Sequence, residues 1–381
     1  MKLNDLKHKV LFIMHMPPPV HGAAMVGKFI HDSSVVNESF DCRYENMMLA
    51  NNLEDIGKGG LKKFFNLFSQ LKRFKRAVKE FQPNLVYITP NAAGGAFYKD
   101  FIVVQYIKLC LKKYAPYASI IVHFHNKGVG YRQNRLLDNV LYKKFFKGVK
   151  VILLAEVLYE DVKKYVAKEN VFICPNGIPE SSSEKLRLER NNAVPQILFL
   201  SNLIVSKGVI VLLDALKDLA GRGYDFLCNV IGGETEELNS AKFLREIEKR
   251  NLQERVVYRG KKYGSEKSEY LEKSDIFVFP TFYYNEAFPL VNIEAMEYKL
   301  PIVTTNEGGI PDMIVNGENG LICERENSIA LADAIELLIN DEFLRVRMGE
   351  NGYKKFKKEF CLNVFENRFV QILNDALDAE N

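Results

Sequence analysis

Short apolar runs of strand length alternate with longer stretches of helical periodicity along the whole chain, and few folds accept that alternation. The first series comprises VLFIMH from Val10, LVYIT from Leu85, SIIVHFH from Ser119, VKVILL from Val149 and VFICP from Val171. The second comprises QILFLS from Gln196, DFLCNVIGG from Asp225, RVVYRG from Arg255, DIFVFPT from Asp275 and PIVTT from Pro301. Uninterrupted apolar strands belong to parallel sheets buried on both faces, and helices between them make βαβ units. The chain is therefore expected to be α/β, with two Rossmann-like doubly wound parallel-sheet domains facing across a cleft. Its 381 residues also exceed what one core usually serves. Glu180 to Pro195, polar and with three serines at Ser181 to Ser183, reads as the linker. Domains are expected over 1–185 and 186–360, and the helical stretch within 361–381 is a candidate to return to the first.

Charge is divided unevenly. Residues 1–180 hold 27 Lys and Arg against 15 Asp and Glu, whereas the remainder holds 25 against 33. A basic half implies an anionic partner, a membrane surface or a nucleic acid. The six cysteines form no CxxC pair, which argues for reduced thiols and against a zinc site. No secretory signal or membrane-length apolar run is present, so a cytoplasmic protein is expected.

The densest chemistry lies in EAFPLVNIE, Glu286 to Glu294. Glu286 falls in the loop after the strand DIFVFPT, at the carboxyl edge where open α/β sheets bind ligands. Pro289 suits a first helical turn, which predicts a helix from about Phe288 with free amides of the kind that bind phosphate. Glu294, about two turns further, could accept hydrogen bonds from a ribose diol. On the nonapeptide alone, two solvated surface glutamates are an equal reading. Lys207 in SNLIVSKG precedes another predicted helix; a cation there is explained by a phosphate between it and the helix, or is simply an exposed lysine. Gly22, in PPPVHGAAM, opens a loop that either approaches a ligand or merely turns the chain. NEGGIPDMI offers a backbone nest at Gly308 and Gly309. His125 ends the strand from Ser119.

Together these residues resemble the retaining GT-B glycosyltransferases of family 4 (glycosyl transferases group 1). The likeness is strongest from Leu198 to Leu321, where EAFPLVNIEAMEYKLPIVTTNEGGIPDMIVNGENGLI is similar to that family's E-x7-E motif and its following glycine loop. PNGI, Asn176 to Ile178 with its preceding proline, resembles the family's boundary motif. The resemblance implies that Glu286 binds the donor sugar, Glu294 the ribose and Lys207 the diphosphate. It implies amides around Phe288, Leu290 and Val291 assisting, with Asn202 and Gly232 among the donor-binding positions. His125 would lie near the anomeric centre, and Gly22 in the first-domain glycine loop. One departure is plain: where the family writes G-R-L this chain has Ser201-Asn202-Leu203, so an assisting arginine is lost. Retention, and a UDP-sugar donor rather than a GDP-sugar, follow from the resemblance only.

No DxD pair occurs in the chain, so Lys207 and a helix start are expected to support the leaving diphosphate, with no metal or other cofactor. Leu61 to Glu80 sets Leu61, Phe64, Phe65, Phe68, Leu71, Phe74 and Val78 on one helical face against seven Lys and Arg on the other. Such a helix either packs its aromatic face into the domain or lies on an anionic membrane. The basic helix motivates a lipid-linked or other saccharide acceptor in surface polysaccharide assembly. Competing expectations are a GT-B epimerase or phosphorylase, and a nucleic-acid-binding protein. No nucleic-acid module is recognisable, so nucleic acid is not expected as a partner.

Overall fold

The computed structural model describes residues 7–19, 21–47, 60–181 and 192–378, with side chains from Asn66 onward in the helix that begins at Gly60. Residues 182–191, most of the expected linker, lie outside that set. The chain divides into two compact units, Met1–Asn176 with Leu362–Asn381, and Gly177–Cys361. The first division thus falls ahead of the 185/186 boundary read from the chain.

The first unit runs β1 (Lys9–Met14), α1 (Gly22–Asp32), α2 (Ser34–Ser39), β2 (Asp41–Asn46), α3 (Gly60–Phe81), β3 (Leu85–Ile88), α4 (Gly94–Tyr114), β4 (Ser119–His123), α5 (Val129–Arg132), α6 (Leu136–Phe146), β5 (Lys150–Leu153), α7 (Tyr159–Val162) and β6 (Val171–Ile173). Its strands form one six-stranded sheet in the order β2-β1-β3-β4-β5-β6, parallel at every pairing. Order reverses between β1 and β3. A C-terminal helix, Leu362–Asp378, belongs to this unit and buries Phe365, Phe369, Ile372 and Leu373 beside Phe12 and Tyr87.

The second unit runs β7 (Gln196–Leu200), α8 (Val209–Gly221), β8 (Leu227–Ile231), α9 (Ser240–Glu248), β9 (Val256–Tyr258), α10 (Gly264–Lys273), β10 (Ile276–Phe279), α11 (Leu290–Glu297), β11 (Ile302–Thr305), α12 (Ile310–Met313), β12 (Gly320–Cys323), α13 (Ser328–Asn340) and α14 (Glu342–Lys355). Its parallel order is β12-β11-β10-β7-β8-β9, so the reversal lies between β7 and β10. That is the strand order of dinucleotide-binding domains, and the reversal point is where such sheets hold ligands.

Two strands, β2 and β12, are absent from the apolar series, and both are sheet edges. β2 reads DCRYEN with no residue fully buried, so its pattern lacks the two-sided burial that marks the inner strands. Helix α3 divides the stripe expected of it. Phe74, Ala77 and Val78 are completely buried while Phe68 is 65% exposed. Lys72, Arg73, Lys75, Arg76 and Lys79 all face solvent. Among the described residues no helix is long and apolar enough to cross a membrane.

Candidate active site

In the second unit, the loops after β7 and β10 leave the sheet on either side of the reversal point, so their side chains can converge. Val205–Lys207 forms a single 3₁₀ turn, and Gly208 follows with φ of +89° as the N-cap of α8. A Cβ at Gly208 would stand 2.1 Å from the Pro280 carbonyl oxygen, so only glycine allows the two loops to close on each other. The Phe282 amide donates to the Ser206 carbonyl at 2.8 Å and secures the contact.

The outcome is an ion pair. Lys207 Nζ lies 2.5 Å from Glu286 Oε2, with the two side chains only 16% and 10% exposed. The ammonium also sits 4.5 Å from the Tyr283 ring centroid and 5.6 Å from that of Phe279, contacts that favour a cation with little water. Glu286 is held from behind. Gly308, at φ of +57°, would place a Cβ 2.2 Å from the Glu286 carbonyl oxygen, and the Gly309 amide donates to the Ala287 carbonyl at 2.7 Å. The NEGG loop therefore props the EAF loop.

Helix α11 begins at Leu290 and not near Phe288. Pro289 is its N-cap, with ψ of 116° too extended for a helical residue, and no side chain caps the end. Leu290 and Val291 are thus the first-turn amides. Phe288 instead packs its ring 5.7 Å from Phe360. Glu294 consequently sits little more than one turn into the helix. Its Oε1 accepts from Lys267 Nζ at 2.8 Å, while Oε2 is buried with no partner.

Asn202 serves the backbone. Its Oδ1 accepts from the Gly233 amide at 3.0 Å, and a Cβ on Gly232 would meet the Ser201 carbonyl oxygen at 1.7 Å. The short side chain pins the loop after β8 to the loop after β7 at the place where the resemblance puts an arginine. Gly232 is a packing glycine here, its carbonyl accepting from the Tyr258 hydroxyl at 2.8 Å.

In the first unit, His125 stands two residues past β4 with both ring nitrogens buried and without hydrogen-bond partners. Its ring lies 4.2 Å from that of His123, whose Nδ1 meets the Tyr87 hydroxyl at 2.8 Å. His15, at the end of β1, bonds Thr89 Oγ1 through Nδ1 at 3.1 Å and faces the His21 ring at 5.9 Å. Burial pushes His15 down to about 4 and His125 down to about 3, with their mutual proximity adding to the latter. Burial also holds His123 well below the ordinary imidazole range. These rings are neutral hydrogen-bonding groups at physiological pH. Gly22 opens α1 behind His21, whose Nδ1 accepts from the Ala24 amide at 3.3 Å. The tight approach occurs instead at Gly27, where a Cβ would stand 2.0 Å from the His15 carbonyl oxygen. Sequence reasoning singled out His125 alone. His15 and His123 each terminate a strand, and that shared placement was the available signal.

Residues 180–355 match the family described as Glycosyl transferases group 1. Two six-stranded parallel sheets of this kind make a GT-B fold, and fold and domain together make the chain a transferase enzyme, a glycosyltransferase. Among its relatives is the capsular polysaccharide biosynthesis glycosyltransferase CapM of Staphylococcus aureus, 28% identical over 339 residues, covering 83% of this chain and 84% of that protein. A glycosyltransferase from Rickettsia africae ESF-5 superposes with a TM-score of 0.68 at 20% identity, covering 97% and 99% of the two chains. Anabaena Alr3699/HepE, solved in complex with UDP-glucose, superposes with a TM-score of 0.71 at 16% identity, covering 96% and 99%.

Proposed function

We propose that the chain is a retaining, metal-independent glycosyltransferase of family 4 that moves a sugar from a UDP-sugar to a saccharide or lipid-linked acceptor in surface polysaccharide assembly. The observation that carries this reading is the Lys207–Glu286 pair at the reversal point between β7 and β10. A nucleoside diphosphate entering there offers Lys207 a stronger anionic partner than one carboxylate. Glu286 is then released toward the hydroxyls of the sugar. As the bond from the anomeric carbon to the diphosphate breaks, negative charge grows on the leaving oxygen. Lys207 and the Leu290 and Val291 amides are set to receive it without reorganising. They stand in for a metal held by an Asp-X-Asp pair, which the sequence does not contain. Neutral His125 would hydrogen-bond the sugar or acceptor near the reacting carbon, and the acceptor hydroxyl would attack from the face the diphosphate leaves, giving its proton to the departing diphosphate oxygen.

Support for the acceptor class comes from the capsular relative, and for the base from the UDP-glucose complex of a protein with the same fold. A peripheral position on an anionic membrane is supported by the solvent-facing cations of α3 and by the start of α6. There Leu136, Leu137 and Val140 are exposed beside Arg135, with Lys143 and Lys144 exposed in the last turn of the same helix. The deciding experiment is a thermal-shift screen with UDP- and GDP-sugars, because a ligand that binds only the native state raises apparent stability. A shift with UDP-sugars is expected, followed by product formation with a lipid-linked saccharide. No shift with any nucleotide-sugar would overturn the reading.

A further inference from the structure

Lys267 is the fourth residue of α10, the helix that leads into β10, and Glu294 lies on α11, the helix that leaves it. Their side chains meet at 2.8 Å and are only 26% and 18% exposed. Nearby charges of α10 behave differently: Glu266 pairs with Lys262 and Lys273 with Glu269, all within the same stretch of chain. Lys267 alone in this group reaches across to a carboxylate on another element.

The ion pair engages one oxygen of Glu294. The other, Oε2, is buried and accepts from no group. A buried carboxylate oxygen with no donor is unfavourable by more than a neutral group would be, and it costs least where a ligand supplies the donor. A lysine that fixes Oε1 also removes rotation about the carboxylate bond and holds Oε2 in one direction. A free carboxylate would have to be ordered on binding, at an entropic cost.

We propose that Lys267 is a positioning residue for ribose recognition. By clamping Oε1 of Glu294 it presents Oε2 as a preset acceptor for a ribose hydroxyl, and so makes the site read ribonucleotides over deoxyribonucleotides. This rests on the donor reading above, in which Glu294 faces the ribose. The arrangement assigns Lys267 no contact with the sugar or the diphosphate.

The test measures affinities of the full-length protein for UDP, 2′-deoxy-UDP and 3′-deoxy-UDP, and for GDP with the same pair of analogues. The wild type is expected to prefer the ribonucleotide over at least one deoxy analogue by about 10- to 100-fold, the usual worth of a hydrogen bond to a charged group. In Lys267→Met that preference is expected to fall below about threefold, mainly through weaker ribonucleotide binding, and Lys267→Arg should restore most of it. In turnover assays Lys267→Met should raise KM for the donor and leave kcat nearly unchanged. A purely structural role would lower affinity for all analogues equally and leave the preference intact, which would overturn the proposal. Equal binding of ribo- and deoxyribonucleotides by the wild type would remove the ribose role of Glu294 and this proposal with it. Binding of neither UDP nor GDP would instead remove the donor reading itself.

Discussion

The two sheets have the same number of strands and the same parallel sense, yet their carboxyl edges carry opposite chemistry. In the second unit the edge at the reversal point is built from opposed charges, Lys207 with Glu286 and Lys267 with Glu294, each pair partly buried. In the first, the corresponding edge carries His15, His21, His123 and His125, and burial keeps three of these rings neutral. The difference teaches that the architecture supplies a place and not a chemistry. A charged edge suits a diphosphate, whose own charge replaces one member of the pair. A neutral edge suits hydroxyl groups, which need hydrogen bonds without strong fields.

The comparison breaks most sharply at Lys207. Lys207→Ala or Glu286→Ala should lower transfer by at least about 10² to 10³-fold while leaving the protein folded, though less stable for the loss of one member of a largely buried pair, because each removes a preorganised contact made by a charged group. Near-normal turnover in either variant would mean that the charged edge is not the donor site. His125→Ala is expected to cost less, about 10-fold to 10²-fold, since a neutral imidazole contributes a hydrogen bond and no full charge. Initial rates at saturating donor would check the ordering.

Backbone contacts sharpen the contrast at a smaller scale. Gly208→Ala forces a side chain onto the Pro280 carbonyl at a φ that disfavours it, and is expected to destabilise the protein by roughly 2 kcal/mol or more. Gly22→Ala, at the exposed start of α1, should change stability by less than about 0.5 kcal/mol. Urea unfolding of the two variants compares them directly. Equal losses would show that the close approach at Gly208 can relax.

Much of this contrast could be read from the chain, and the limits have physical causes. Ten of the twelve strands declare themselves through apolar runs, the edge strands β6 and β9 among them, while β2 is an edge strand reading DCRYEN with no residue fully buried and β12 is an edge strand of four residues opening on glycine. Lys207 sits in a glycine-bearing loop and Glu286 just ahead of a proline-marked helix start, each shortly after an apolar strand, a local signal. Lys267 had none: it is one of two lysines on a polar helix, and only the crossover geometry brings it to Glu294. The helix start was misplaced because Pro289 fits either an N-cap or a first turn, and its ψ decides between them. Asn202, a donor-binding position by resemblance where the family carries an arginine, also ties down the Gly233 amide, a contact that only the folded chain shows.

A further expected effect concerns protons. His15 and His125 have folded values of about 4 and about 3, against about 6.5 for a free imidazole. As pH falls below about 6.5 the unfolded chain takes up protons that the folded one refuses, so stability is lost in that direction. The contribution is intact above about pH 6.5 and declines toward pH 4, with a slope on the order of 1 kcal/mol per pH unit for each ring at most. Asp100 beside His15 opposes the effect and Lys99 reinforces it, so the His15 share should be the smaller of the two. His15→Gln and His125→Gln should each flatten the fall in unfolding free energy between pH 6.5 and 4.5, measured by urea titration. A wild-type curve as flat as those of the variants would mean that the rings are solvated and charged, and the neutral edge would lose its distinction from the charged one.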